Sequence, residues 1–166
     1  MNRFSLLMFS ALLVITVFLT LNSIGALPAK LATHFGANGV GDGWMTRENY
    51  RLLILSLLVG LPLLLVWLMA GLPGVTNGRG QIPNREYWFS PERRETTLNF
   101  LLRHSCWLGC LTVAVVYGMH VSILRANAVI PPVLATDRFI VMVVVYLCGL
   151  VWWVMALIRH FQRADA

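Results

Sequence analysis

Leu27 to Arg47, LPAKLATHFGANGVGDGWMTR, is the long polar segment of the first half of the chain, and an uncharged apolar run lies on either side of it. Its Asn38-Gly39 and Asp42-Gly43 pairs are turn signals, because glycine accepts positive φ and Asx side chains bond neighbouring backbone. Trp44 and Met45 lead into the next apolar run, where an indole sits well at the level of lipid headgroups. A structured connection between two buried runs is the expectation, and the nature of those runs sets the fold class.

Working outward, four runs are long enough to span a hydrocarbon core, which takes roughly 20 residues at 1.5 Å each. The 166 residues are 58% apolar and 12% charged, well below the roughly 25% charge of a soluble domain. The expected fold is all-α, a polytopic integral membrane protein with a four-transmembrane-helix bundle as a single domain over 1–166. Helices are expected at about 4–27, 52–72, 91–124 and 139–158. An outer loop 28–51, an inner loop 73–90 and a short outer loop 125–138 connect them.

The first run has Arg3 before it and is too long for the 7–15-residue apolar core of a signal peptide, so it reads as a retained helix. Thr16, Thr20 and Ser23 make a polar stripe at i, i+4, i+7. In lipid such hydroxyls either bond to other helices or turn back onto their own backbone. In the second run, Pro62 removes a backbone donor and is expected to bend the helix. Ser56 and Gly60 form a small-xxx-small pair suited to close packing, and Gly71, Pro73 and Gly74 are expected to end the helix. Ser90-Pro91 reads as N-cap and first residue of the third helix, with Tyr87 and Trp88 at the membrane interface.

The net charge of +6 sits between the apolar runs, where anionic headgroups and the positive-inside rule account for it without nucleic acid. With the N-terminus inside, the inner side holds Arg3, Arg79, Arg85, Arg93, Arg94, Arg103, Arg159 and Arg163. The outer side holds Lys30, Arg47, Arg51, Arg125 and Arg138. Both termini are therefore expected in the cytoplasm, with the His34 loop outside.

The chemistry is sparse. No nucleophile elbow, zinc-protease helix, C-x-x-C pair or phosphate loop is present, so no catalytic residue, metal or cofactor is assigned. His34, Asp42 and His120 are suitable metal-ligand types without metal-site spacing. Cys106 and Cys110 share a helical face but read as buried, inert thiols. The outer-loop candidate site is His34, Phe35, Asp42 and Trp44, with His34, Asp42 and Trp44 expected to order the Gly-rich loop. Tyr87, Trp88, Arg93 and Arg94 are the inner-loop candidate contacts, and His120 is an intramembrane polar residue, a functional marker in a membrane helix.

Leu27-Pro28, Ala32-Thr33-His34-Phe35-Gly36, Gly39 and Asp42-Gly43-Trp44 resemble the LP…THF…G…DGW signature of a bacterial family of small membrane proteins of unknown function. That domain also forms the N-terminal part of the immunity proteins against the sporulation-delaying toxin. Ile82 to Trp88 and Ser90 to Arg94 are similar to the second loop of the stand-alone members. The resemblance implies a small multi-pass protein of the bacterial cytoplasmic (inner) membrane. With motif-rich polar segments on opposite faces and no catalytic set in the apolar runs, the expectation is an immunity-like or receptor-like protein and not an enzyme. Its partners would be the lipid bilayer, a peptide or protein ligand at the outer loop and a cytosolic partner at the inner loop. The alternative expectation is an accessory subunit of a membrane transporter, from Pro62, the Thr16/Thr20/Ser23 stripe and His120.

Overall fold

The structure is a computed structural model and describes residues 3–80 and 82–162; Arg163 lies outside them. It is mostly helical, with four helices long and apolar enough to cross a membrane. These are α1 (Phe4–Ile24), α2 (Arg47–Thr76), α4 (Arg94–Ala126) and α5 (Thr136–Gln162). A single-turn helix, α3 (Arg85–Trp88), lies in the second connection. The expectation of an all-α fold needs one correction. The connection after α1 is a β-hairpin, with β1 (Lys30–Phe35) antiparallel to β2 (Gly41–Thr46).

The helix limits also differ from expectation, for local reasons. α1 stops at Ile24, ahead of 27, because Gly25 follows and Pro28 steers Leu27 out of the helical region. α2 begins at Arg47, five residues early. Thr46 is its N-cap, its Oγ1 accepting from the Asn49 N–H at 3.3 Å, with Glu48 in the first turn. α2 also runs through Gly71, Pro73 and Gly74 and ends at Thr76, where Asn77 (φ 50°) and Gly78 (φ 71°) turn left-handed. The inner connection is correspondingly displaced from 73–90 to 77–93. α4 starts at Arg94, not at Pro91. The Ser90 carbonyl takes the Arg93 and Arg94 N–H groups (3.1 and 2.9 Å) in a preceding turn, and Ser90 does not act as the α-helical N-cap. At the far end α4 reaches Ala126 and α5 opens at Thr136, so the last connection is shorter than 125–138.

α2 carries its prolines without breaking. Ser56–Gly60 and Trp67–Gly71 are π-helical, and each stretch ends two residues before a proline, Pro62 and Pro73. A proline ring collides with the carbonyl four residues back, and widening that turn moves the carbonyl aside. Ser56 and Gly60 do not form a packing seam. Both are exposed, and nothing lies within 4 Å of where a Gly60 Cβ would be.

α4 is the central helix, packing against α1, α2 and α5. Its glycines permit the closest approaches: a Cβ on Gly109 would sit 2.6 Å from the Phe9 ring of α1. On α1 the buried residues Ser5, Phe9, Thr16, Thr20 and Ile24 line one face, so the hydroxyl stripe turns inward. The core joins Phe9, Ile54, Leu58, Cys106, Val113 and Val116 of the helices to Leu27 and Leu31 under the hairpin. α5 is peripheral, holding on to α4 through Trp153 and Phe161 while its aliphatic faces are exposed.

Candidate functional site

The hairpin is a cap on one end of the bundle. Its five-residue connection is set by Asn38 Oδ1, which accepts from the Val40 N–H at 3.1 Å, and by Gly39 at φ 77°. In the ladder Gly41 pairs with Phe35 and Gly43 with His34. A Cβ added at Gly41 would come within 2.6 Å of the Ala32 Cβ, and one at Gly43 within 2.7 Å of the His34 Cβ. The register shifts on either side of His34, a bulge that leaves His34 and Asp42 on the same exposed face.

Three attachments hold this cap to the helices. Leu31 is completely buried and Leu27 is 3% exposed. Asn127, the C-cap of α4, brackets Ala32: its Oδ1 accepts from the Ala32 N–H at 2.8 Å and its Nδ2 donates to the Ala32 carbonyl at 2.9 Å. Arg47 Nη1 donates to the Gly25 and Leu27 carbonyls (3.3 and 3.0 Å), closing the turn out of α1. The tip is tied to the α4–α5 connection as well, through a Val40–Val133 bridge and the bonds Gly41 N–H to Pro132 and Leu134 N–H to Gly39.

His34 Nδ1 and Asp42 Oδ1 are 2.5 Å apart, with side chains 76% and 54% exposed. Trp44, on the same face, is 48% exposed, and Phe35 is half-buried. The sequence-predicted pair therefore meets. As an ordering device it is secondary: an exposed ion pair is worth about 0–1 kcal/mol, whereas burying Leu31 alone is worth about 1.5–3 kcal/mol. The face is better described as a presented surface than as the element that folds the loop.

His120 does not join that pair. It is fully buried, below the cap, with Nδ1 2.9 Å from the Tyr50 hydroxyl and Nε2 2.8 Å from Ser23 Oγ. Ser23 Oγ is also 2.8 Å from the Leu19 carbonyl. One assignment satisfies every group: Tyr50 O–H donates to Nδ1, Nε2–H donates to Ser23, and Ser23 O–H donates to Leu19 C=O. This chain of bonds is uncharged and links α1, α2 and α4 just beneath the hairpin. The Tyr50 ring also stacks on His120, centroids 5.9 Å apart. Thr16 turns back onto Leu12 at 2.8 Å, while the buried Thr20 hydroxyl makes no bond among the described residues. Thr16 and Ser23 thus show the two expected uses, and Thr20 shows neither. Among the described residues no three His, Cys, Asp or Glu side chains gather in a metal-binding group.

The inner-loop residues lie at the opposite end. Arg94 donates to Asn77 Oδ1 and to the Gly74 carbonyl (both 3.1 Å), and Arg85 to the Asn77 carbonyl at 2.8 Å, so both fasten the end of α2. The Arg93 guanidinium lies 4.0 Å over the Tyr87 ring. Trp88, His160, Phe100, His104 and Trp153 stack in succession across the α4–α5 contact. His104 Nε2 and Trp153 Nε1 each donate to the other residue's carbonyl, at 3.1 and 2.8 Å. Glu92 is exposed, and bonds from its own backbone and from Ser90 hold its carboxyl below the usual carboxylate range.

Of these groups, the sequence pointed to His34, Asp42, Trp44 and His120 but missed Tyr50, Asn127 and the joint of Asn77 with Arg94. An asparagine directly after a helix was the available signal for Asn127. The protein is thus of a definite architectural class: four helices of membrane-spanning length and hydropathy, capped at one end by a hairpin. Residues 11–66 carry a domain of unknown function, DUF1648. The matched segment runs from α1 through the hairpin into α2 and contains Ser23, His34, Asp42 and Tyr50. No curated protein and no solved structure matches the chain.

Proposed function

We propose that this chain is a four-span protein of the bacterial cytoplasmic membrane, of the receptor or immunity type and without catalytic activity. Both termini are inside and the hairpin is outside. The hairpin face of His34, Asp42 and Trp44 recognises a peptide or envelope component. The observation that carries this is a surface held firmly from behind yet open in front. Leu31, Ala32 and Asn127 fix the hairpin to the helix ends, while the His34–Asp42 pair and Trp44 are left exposed. The orientation is supported by the clustering of Arg3, Arg79, Arg85, Arg93, Arg94, Arg103 and Arg159 at the end away from the hairpin. The inner-loop surface of Arg93 on Tyr87 is the contact for a cytosolic partner. The match of the DUF1648 domain to the hairpin and its two supporting helices agrees with a role centred on that cap.

Two measurements test this. In a chain with Cys106, Cys110 and Cys148 replaced, cysteines at Asn38 and Arg79 are labelled in intact cells with an impermeant maleimide. Asn38 labels and Arg79 does not; labelling of both rejects the topology. Cells expressing the protein are then challenged with a synthetic amphipathic membrane-active peptide. Protection disappears with His34→Ala/Trp44→Ala at unchanged membrane levels, and equal protection by that variant rejects the hairpin as the recognition face.

A further inference from the structure

A recess of about 240 Å³ lies at the basic end, between the start of α1, the first turns of α4 and the end of α5. Its polar wall is Arg3, Ser5, Thr96, Asn99, Arg103 and His160, and Leu6, Phe100 and Leu102 complete it. Among the described residues no carboxylate lines it, and neither Arg3 nor Arg103 has one within 4.0 Å. Two arginines lining one cavity without a carboxylate among its described lining residues repel each other, and an anion between them relieves that repulsion. Ser5 is only 6% exposed, so part of the polar wall is set back from solvent. Arg3 is also the N-cap of the 21-residue α1, whose first N–H groups add positive potential.

We propose that this recess holds the phosphate of an anionic glycerophospholipid, with Arg3 and Arg103 as the paired cations. Guanidinium matches phosphate oxygens in two-point geometry, and the amide of Asn99 and the hydroxyls of Ser5 and Thr96 supply neutral donors. Lipid is favoured over free phosphate by the mixed wall. Leu6, Leu102 and the Phe100 ring, with Arg103 6.0 Å above it, offer the glycerol and first methylenes an apolar surface. The recess also sits where the apolar run of α1 begins, at headgroup depth. The inference rests on the membrane-spanning reading proposed above.

The test uses the full chain in nanodiscs of phosphatidylcholine with a small fraction of phosphatidylglycerol, released for native mass spectrometry. Phosphatidylglycerol adducts are enriched over phosphatidylcholine on the wild type. Arg3→Gln/Arg103→Gln reduces that enrichment by about tenfold or more, from the contribution of each cation near an anionic headgroup. Arg79→Gln/Arg125→Gln leaves it unchanged. Equal retention of both lipids by the wild type, or unchanged enrichment in the Arg3/Arg103 variant, overturns the site. Displacement of the lipid by millimolar inorganic phosphate or glycerol 1-phosphate would overturn the lipid as occupant. Extraction of the protein from membranes by alkaline carbonate would instead break the membrane reading, and is scored separately.

Discussion

Asn127 is the residue whose loss should loosen the hairpin most selectively. Ala32 is completely buried, and the Asn127 amide meets both its N–H and its carbonyl (2.8 and 2.9 Å). Asn127→Ala strands a buried donor and a buried acceptor, each costing about 1–3 kcal/mol. Partial access of water lowers the sum, and about 3 kcal/mol is the expected destabilisation of the docked hairpin. Asn127→Asp is the sharper probe. It keeps the acceptor for the Ala32 N–H but replaces a donor by an oxygen facing the Ala32 and Ile123 carbonyls, so it should be no better than alanine. Amide hydrogen exchange in nanodiscs reads this locally. At 1.4 kcal/mol per decade, β1 and β2 should exchange on the order of 100-fold faster, with the middle of α4 unaffected. Unchanged exchange across residues 30–46 in Asn127→Ala, or an aspartate variant as protected as wild type, would refute the clamp.

Gly109→Ala places a methyl group 2.6 Å from the Phe9 ring, and should lower stability in detergent by about 1–3 kcal/mol; Phe9→Leu in the same chain should recover part of it. His120→Ala removes the link among three helices and opens a cavity, an expected loss of about 2–4 kcal/mol in thermal unfolding. Tyr50→Phe breaks one bond of that chain and should lose about 1 kcal/mol or less. A double-mutant cycle of His34→Ala with Asp42→Asn should give a coupling below about 1 kcal/mol, because both side chains are exposed; a coupling of several kcal/mol would mean that the pair orders the hairpin after all.

The sequence by itself determined what depends on runs of neighbouring residues. Four stretches of high hydropathy are local facts, and each became a helix of spanning length. The Thr16/Thr20/Ser23 stripe was legible from helical spacing, and the Asn38-Gly39 turn from the needs of positive φ. The meeting of His34 with Asp42 followed from their nearness in one loop. Only the tertiary structure decided the rest. The hairpin was hidden because KLATHF and GDGWMT carry no clean apolar alternation; cross-strand pairing and the burial of Leu31 against distant helices make them strands. The π-helical turns before Pro62 and Pro73 make room for each proline ring at the carbonyl four residues back, so the prolines widen α2 instead of ending it. The partners of His120 are 70 and 97 residues away, and Asn127 lies 95 residues from Ala32. No period in the sequence encodes such pairs. They exist because packing brings the end of α1, the start of α2 and the last turns of α4 together, where any buried polar group must find a partner within reach.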